Sequence, residues 1–476
     1  MHSELRDYAL GLLREAGFQV DLTSQAAAQL DALPVGPAAG GIMDLTHLPW
    51  SSIDNPTTRD VDQLEYAEAV PGGTRVLVAI ADVDEWVPRG SPLDLRAGQN
   101  TVSVYGGEVL LPMLPERLSE GLSSLLADQP RLAVIAEFVA SPDGVLNNGK
   151  VYRALVKNAV QLDYETINAW LSGAGPLPAK AAQMEEQLRL QNDAAERLRG
   201  QRERLGALEF QRNEVRPVVK DGRVVDMVLT HPGPARDLIE DFMIAANATI
   251  AGFLEKHDVS WIRRMVGAPE RWSQIAALIR EGGGTAPDTP DRTALAAFLN
   301  AARARDPENF ASVSLSVLRL LGSGEYMVEH RAEDLGAHFA LAVEDYTHFT
   351  APNRRYADVV TQRIVKAVLA GEKCPYGDVE LEEIAAHCSR MEDAARAVER
   401  KVVRYATMLL MQPRVGETFD AVVADASKQD ARIMLTTPVI EGRLDADGVT
   451  RKDGDSLRVR LTAVDVAAGR MTFSPA

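Results

Sequence analysis

The hydrophobic pattern changes twice along the chain, and these two changes limit the possible folds more than any other feature. Apolar residues recur at helical spacing up to about residue 43, and strand-like and helical stretches alternate from there to residue 412. Short alternating segments separated by glycine and aspartate turns fill residues 413–476. A chain of 476 residues is also long for one core. We therefore expect an α+β multidomain protein with three parts: 1–43, 44–412 and 413–476.

The first part is predicted to be a small helical unit. Apolar residues from Leu5 to Ala16 follow a helical period that Gly17 ends, and Thr23 or Ser24 can cap a second helix over residues 25–33. Two short helices around a tight turn resemble part of a helix-turn-helix or winged-helix unit. The basic residues here are only Arg6 and Arg14, so packing explains the unit as well as RNA binding does.

The middle part is predicted to hold a mixed sheet wrapped by helices, and the last part a small β-barrel. Strands are expected at residues 75–82, 101–105 and 131–139, and helices at residues 183–206, 236–256 and 356–370. From Ile384 onward, apolar residues repeat in sevens, which predicts one long packed helix. In the last part, strands are expected at 417–423, 431–435, 456–466 and 470–473.

Composition limits the function less than it limits the fold. Asp and Glu outnumber Lys and Arg by 68 to 51, a net charge of −17, which argues mildly against a nucleic-acid binder but leaves local basic patches open. The two cysteines, Cys374 and Cys388, have neither metal-ligand spacing nor a disulfide pattern, and Cys388 falls in the apolar repeat. Neither a secretory segment nor a membrane-spanning run is evident, so a cytoplasmic protein is expected.

The densest group of acids lies in residues 53–62, IDNPTTRDVD. Asp54, Asp60 and Asp62 fall within nine positions of a segment that also holds proline and asparagine, so a folded-back loop can bring them together. Hard divalent cations take oxygen ligands, and Mg²⁺ needs only a few carboxylates, with water and substrate phosphate completing its shell. The segment is a candidate metal site, although three acids in a loop are more often a solvated turn.

A second group, HFTAPNRRY at residues 348–356, leads directly into a predicted helix. Arg354 and Arg355 stand at the helix N-terminus, where the free N–H groups already favour an anion. Arginine can also bind two phosphate oxygens at once. The pair therefore predicts a phosphate contact, and the competing interpretation is an ordinary ion-paired or solvated arginine pair.

Seven motifs in order carry a family resemblance. They are DLTHLPW at 44–50, IDNPTTRDVD at 53–62, VAIADV at 78–83, LPMLP at 111–115, GALEF at 206–210, IEDFMIAAN at 239–247 and APNRRYAD at 351–358. In this order they resemble the catalytic domain of the ribonuclease II and ribonuclease R family, and the last part resembles the OB-fold RNA-binding domain of the ribosomal S-one type. The resemblance implies a 3′-to-5′ exoribonuclease that hydrolyses single-stranded, and also structured, RNA to nucleoside 5′-monophosphates.

The resemblance also implies a role for individual residues. The metal-binding positions match Asp54, Asp60, Asp62 and Gln63; the catalytic positions match Asp62 and Arg354; the RNA-binding positions match Tyr105, Phe210, Glu240 and Arg355. The implied cofactor is Mg²⁺, with Mn²⁺ as an alternative, and the implied partner is the 3′ end of RNA of any sequence, with no obligate protein partner. The two aromatics could instead be core residues, Glu240 a helix N-terminal acid, and Asp82 a structural acid.

Two departures from the family pattern keep alternatives open. The family has another aspartate where this chain has Gln63, which brings no charge to a metal. A catalytically weak RNA-binding protein is therefore a competing function, and a deoxyribonuclease is a third one that does not depend on Gln63. The family also usually begins with cold-shock-type barrels, whereas about 43 residues precede the catalytic motifs here. From this we expect base-paired RNA to be tolerated better than by an enzyme with those barrels.

Overall fold

The computed structural model describes residues 3–34, 36, 41–106, 109–210, 214–220, 223–230, 233–307, 310–322, 324–330, 339–343, 345–426, 431–445, 451–452, 454–466 and 468–476. Its helices are α1 (Ser3–Glu15), α2 (Ser24–Ala32), α3 (Pro92–Asn100), α4 (Tyr164–Leu171), α5 (Glu185–Arg204), α6 (Pro234–Lys256), α7 (Trp272–Glu281), α8 (Arg292–Arg305), α9 (Phe310–Leu321), α10 (Tyr356–Ala370) and α11 (Asp378–Met411). Among these described residues, no helix is both long and apolar enough to cross a membrane.

The strands fall into a large sheet, three small pairs and a barrel. They are β1 (Met43–Asp44), β2 (Trp50–Asp54), β3 (Gln63–Val70), β4 (Gly73–Ala81), β5 (Val104–Tyr105), β6 (Val109–Leu111), β7 (Pro130–Ala140), β8 (Leu146–Asp163), β9 (Glu214–Lys220), β10 (Arg223–Thr230), β11 (Trp261–Met265), β12 (Glu325–Glu329), β13 (Thr418–Asp425), β14 (Arg432–Thr436), β15 (Val439–Leu444), β16 (Ser456–Asp465) and β17 (Arg470–Pro475).

The large sheet positions the acidic segment. Its strand order is β1-β8-β2-β3-β4-β7, and the long strand β8 also pairs with β7. Strand β2 ends at Asp54 and β3 begins at Gln63. The segment that carries Asp60 and Asp62 therefore connects the ends of two neighbouring inner strands of the sheet. Side chains of β3 and β4 are almost all buried, under α5 on one face. The acids therefore emerge from a rigid part of the protein.

The two N-terminal helices form as predicted, but they pack apart. Thr23 caps α2, and its side chain accepts a hydrogen bond from the Ala26 N–H at 3.1 Å. Helix α1 packs on α11 through Leu5 and Leu13, whereas Leu30 of α2 belongs to the main core beside α3. The expected helix-turn-helix-like pairing is therefore wrong, because each helix buries its apolar face against a different part of the catalytic region.

The predicted helices of the middle part are confirmed, with ends that differ by a few residues. The predicted strand over residues 101–105 is shorter than expected. Thr101 takes a left-handed conformation with φ of +56°, and Val102 forms only an isolated bridge with Arg355, so regular pairing begins at Val104. Helix α11 extends over 34 residues, and Cys388 lies buried in it as predicted.

The C-terminal part is the expected barrel, closed in the order β13-β14-β15-β17-β16. Val459 and Leu461 point into its core, and Arg458 and Arg460 point outward, as their alternation predicts. Strand β15 was not predicted. It contains Gly442, which reads as a turn residue in the sequence, but a side chain there would collide with the ring of Phe473 at 2.3 Å. The glycine therefore serves close packing inside a strand.

Candidate active site

The acidic segment is folded back by its own hydrogen bonds and by a neighbouring loop. Asp54 Oδ1 accepts hydrogen bonds from the Asn55 N–H at 2.7 Å and from the Thr58 hydroxyl at 2.9 Å, which closes the first turn. Further along, the Val61 N–H donates to Ser124 Oγ at 3.0 Å, and the Ser124 hydroxyl donates to the Arg59 carbonyl at 2.6 Å. These contacts hold the segment on both sides of Asp60.

Asp62 connects the acidic segment to the arginine motif. Its side chain is 5% exposed, Oδ1 accepts a hydrogen bond from the Asn353 N–H at 3.0 Å, and Oδ2 lies 3.7 Å from Arg354 Nε. Burial raises the pKa of Asp62 to about 8; Arg354 lowers this pKa, and Asp60 raises it. The structure thus brings together two motifs almost 300 residues apart, and leaves a buried carboxyl short of positive charge.

Tyr105 joins the same site from β5. Its N–H donates to Glu399 Oε1 of α11 at 2.9 Å. Burial raises the pKa of Asp60, and the nearby Tyr105 hydroxyl lowers it in part. The strand before it is tied to the arginine motif, because the Ser103 N–H donates to the Arg354 carbonyl at 3.0 Å. Tyr105, Asp60 and Arg354 are therefore held in one arrangement.

Gln63 and Glu65 lie on the same face of β3, since alternate residues of a strand share a face. Gln63 reaches the cavity wall, whereas Glu65 is fully buried. Burial raises the pKa of Glu65 well above its usual value, and the nearby Asp54 carboxylate raises it further. Glu65 is not predicted from the sequence, because an acid in a strand normally indicates a solvated position.

The carboxylates of the acidic segment are suitable ligands for a hard divalent cation. Asp54, Asp60 and Asp62 offer only oxygen atoms, and a cation would offset the burial and the charge repulsion that raise the pKa values of the last two. Nevertheless, no group of three acidic, histidine or cysteine side chains in the described ranges lies close enough to hold a metal ion as it stands. Of the Asp54 carboxylate, Oδ1 already accepts hydrogen bonds from Asn55 and Thr58.

A cavity of about 1650 Å³ begins at these acids and ends at the barrel. The acidic end is lined by Asp54, Asp60, Asp62, Gln63, Tyr105, Tyr164, Arg236 and Arg354. The far end is lined by side chains of α11, β14, β15 and β17, including Arg400, Lys401, Arg404, Arg432, Arg443 and Arg470. Glu399, Glu441 and Asp465 also line this end, so its wall is basic in balance, in a chain whose net charge is −17.

Three predicted RNA-binding residues lie elsewhere. Within the described part of the chain, Phe210, Glu240 and Arg355 are not on the wall of this cavity. Phe210 packs against the small core of α7–α9, and Glu240 is exposed on α6. The side chain of Arg355 is 18% exposed and makes two hydrogen bonds to Asp358, at 2.9 and 2.8 Å. Arg355 thus acts as the ion-paired arginine of the competing interpretation, and the phosphate contact predicted for it is not supported.

Several residues of the cavity were missed by sequence reasoning. Tyr164 lines the acidic end, with the Arg236 guanidinium 5.0 Å from its ring centre. On α11, Arg400 and Arg404 are one helical turn apart, a spacing that indicates a shared face and that could have been noticed.

Asp82 is structural, as expected, because it is buried and paired with basic side chains of β8 and α10.

Two known protein families match the parts of the chain that form this arrangement. The RNB domain matches residues 42–371, and the RNase II-type exonuclease C-terminal S1 domain matches residues 417–476. Together they define a catalytic domain of the ribonuclease II type followed by a barrel. The chain belongs to the RNB-domain family, whose ribonucleases are metal-dependent nucleases.

Two bacterial relatives are similar over most of the chain. Ribonuclease R of Escherichia coli strain K12 is 30% identical over 475 residues, which cover 92% of this chain and 58% of that protein. Ribonuclease R 1 of Lactococcus lactis is 27% identical over 489 residues, which cover 96% of this chain and 59% of that protein. The chain thus spans less than three fifths of the length of either relative.

Solved structures confirm the fold. The apo form of Mycoplasma genitalium RNase R superimposes with a TM-score of 0.86 at 23% identity, over 100% of this chain and 78% of that one. Yeast Ssd1, described as a pseudonuclease, gives a TM-score of 0.67 at 16% identity, over 97% of this chain and 57% of that one. The fold is therefore shared by a nuclease and by a protein without that activity, so the function must be argued from the site.

Proposed function

We propose that the protein is a metal-assisted 3′-to-5′ exoribonuclease that hydrolyses single-stranded RNA, and RNA with some structure, to nucleoside 5′-monophosphates. One observation carries the proposal: Asp62 and Arg354 meet in the wall of a cavity whose other end is basic. A carboxylate beside an arginine suits phosphodiester hydrolysis, and a basic channel suits the strand that leads to it.

Each group in the site has a task in this reaction. Asp54, Asp60 and Asp62, with Gln63 beside them, would hold the cation, Mg²⁺ or Mn²⁺. Such an ion supplies an activated water and charge neutralisation at the phosphate. Arg354, 44% exposed toward the cavity, would stabilise charge that develops on the phosphate oxygens. Asn353 keeps Asp62 oriented through its backbone N–H.

The substrate is proposed to be RNA of any sequence, gripped by its backbone and by stacking. The basic side chains of α11 and the barrel offer phosphate contacts, and the Tyr105 ring offers a surface for a base. Phe210, Glu240 and Arg355 could contribute only after a rearrangement, since they lie away from this cavity. The proposal includes a cytoplasmic location, as the low cysteine content suggests, and no obligate protein partner.

A product ladder tests the proposal. A 5′-labelled oligoribonucleotide incubated with the protein and Mg²⁺ should shorten one nucleotide at a time from its 3′ end and release 5′-monophosphates. A DNA strand of matched sequence should remain intact. Equal turnover of both strands would indicate a deoxyribonuclease instead, and cleavage at internal positions would contradict an exonuclease.

The second candidate is an RNA-binding protein with little or no catalysis. Gln63 favours this candidate, because it replaces an aspartate of the family pattern and leaves the site with one carboxylate fewer. The similar structure of Ssd1, described as a pseudonuclease, shows that such proteins occur with this fold. Tight RNA binding without a ladder, in Mg²⁺ and in Mn²⁺, would support this candidate. Hairpins with graded 3′ overhangs would then measure how much base pairing either activity tolerates.

A further inference from the structure

Glu65 presents a carboxylate with unusual surroundings. It is 0% exposed, and neither of its side-chain oxygens has a hydrogen-bond partner among the described residues. A buried carboxylate without a partner is strongly unfavourable as an ion. Other buried acids of the sheet are well supplied: Glu137, for example, receives hydrogen bonds from Arg75, Lys150 and Tyr152.

No hydrogen-bond donor in the described part of the chain reaches the Glu65 carboxylate, although the Tyr164 hydroxyl lies in the same region. Gln191 of α5 covers this face of β3, and its Nε2 lies 3.4 Å from both Ser51 Oγ and the Glu65 backbone carbonyl. Its Oε1 is also buried, and no donor in the described ranges reaches it. The charged neighbour of Glu65 is the Asp54 carboxylate. The pocket therefore holds carboxylate and amide oxygens without matching donors.

Such a set of oxygens suits a cation better than a proton. One proton on Glu65 would satisfy a single acceptor and leave the remaining oxygens unpaired. Turning the Gln191 amide over would set its Oε1 against the Glu65 backbone carbonyl, which is also an acceptor. A hard divalent cation accepts carboxylate and amide oxygens together.

The position of Glu65 along β3 places its carboxylate close to the acidic segment. Gln63 brings no charge to the acidic segment, and Glu65 lies two residues further on the same face, about 7 Å along the strand. Residues 54–65 thus still contain four carboxylates, those of Asp54, Asp60, Asp62 and Glu65.

We propose that Glu65 and Asp54, with the Gln191 amide oxygen, bind a divalent cation on the β3 face under α5, so that Glu65 supplies the charge that position 63 lacks. This inference rests on the proposed metal-assisted function. Because Asp54 lines the cavity and its charge acts on Glu65, the cation would reach Glu65 from the cavity.

Mn²⁺ titration of the full chain without RNA, followed by electron paramagnetic resonance of free Mn²⁺, tests the proposal. Glu65→Gln should weaken one class of bound Mn²⁺ by at least about 10-fold, since even the loss of a group that only supports a ligand costs roughly 10- to 100-fold. Adding Gln63→Asp to Glu65→Gln should recover much of that loss. Glu186→Gln, which removes an exposed acid from α5, is the matched control and should bind Mn²⁺ as the wild type does.

Thermal melting separates a binding defect from a folding defect. In EDTA, Glu65→Gln and Glu65→Leu should melt no lower than the wild type, because each removes a buried acid. In Mn²⁺, the wild type should melt higher than in EDTA, and both variants should lose much of that increase. Mn²⁺ binding by Glu65→Gln equal to that of the wild type overturns the proposal and leaves the proposed function intact. A wild type that binds no Mn²⁺ overturns both.

Discussion

The two ends of the cavity are built in different ways. The acidic end comes from one short segment between two buried strands, and its central residue, Asp62, is fixed by a backbone N–H and an arginine. The basic end comes from exposed side chains on α11 and from three strands of the barrel. A buried, fixed group is suited to chemistry, and exposed flexible cations are suited to a long charged strand. We therefore expect turnover and RNA affinity to depend on different ends.

The sharpest test of this separation is Asp62→Asn. Loss of the charge at the site should reduce turnover about 1000-fold, since several kcal/mol of charge stabilisation correspond to roughly three factors of ten. RNA affinity should change little, because the basic end is untouched. Single-turnover hydrolysis and fluorescence anisotropy measure the two effects. Parallel loss of binding and turnover would mean that Asp62 also holds the RNA.

The next largest expected effect is the difference between substitutions of the two adjacent arginines, Arg354 and Arg355. Arg354→Ala should lower turnover by about 100-fold, as removal of a charge-stabilising donor does, with little change in melting temperature. Arg355→Ala removes the ion-pair partner of buried Asp358, which keeps the hydrogen bond from the Ala351 N–H, and should instead cost about 3 kcal/mol of unfolding free energy. Denaturant unfolding and turnover should be measured for both variants. A stable Arg355→Ala protein with weak RNA binding would restore the contact predicted from sequence.

At the basic end, the double variant Arg400→Ser with Arg404→Ser should weaken RNA binding without slowing a saturated reaction. Each lost phosphate contact reduces the salt dependence of single-strand binding by about 0.7, so the slope of log affinity against log salt should fall by about 1.4. Arg390→Ser, on the same helix and away from the cavity wall, is the control. An unchanged slope would place the RNA on another surface.

The smallest expected effect belongs to Gln63→Asp. A further carboxylate at the cavity wall should lower the Mg²⁺ concentration for half-maximal activity by about threefold, because ligand charge tunes the affinity of oxygen sites. A Mg²⁺ titration of turnover measures it. An unchanged or higher requirement would show that position 63 is outside the metal shell.

Sequence reasoning succeeded where a local pattern determines the structure. The period of α10, the sevenfold repeat of α11 and the alternation of β16 each predicted an element that forms. It failed where packing between distant segments decides. Gly442 reads as a turn and lies in a strand under Phe473, and α1 and α2 read as a pair although each packs on a different helix.

The site shows the same limit. The acidic segment and the arginine motif were both recognised, because dense polar motifs stand out in a sequence. The resemblance assigned Arg354 to the catalytic position, but the ion pair that holds Arg355 was not predicted, since it depends on Asp358 in the first turn of α10. The basic wall was hidden in the acidic composition, because its residues are gathered from α11 and the barrel.

The end of α11 has a consequence for how the protein loses its structure. Met408 and Met411 belong to the same apolar cluster as Ile433, Val459 and Phe473 of the barrel. Separating the barrel from the helix would expose both methionines and the barrel residues they cover, so the two parts should melt as one cooperative unit. The basic wall of the cavity should therefore remain intact only while α11, which bears half of its basic side chains, stays folded.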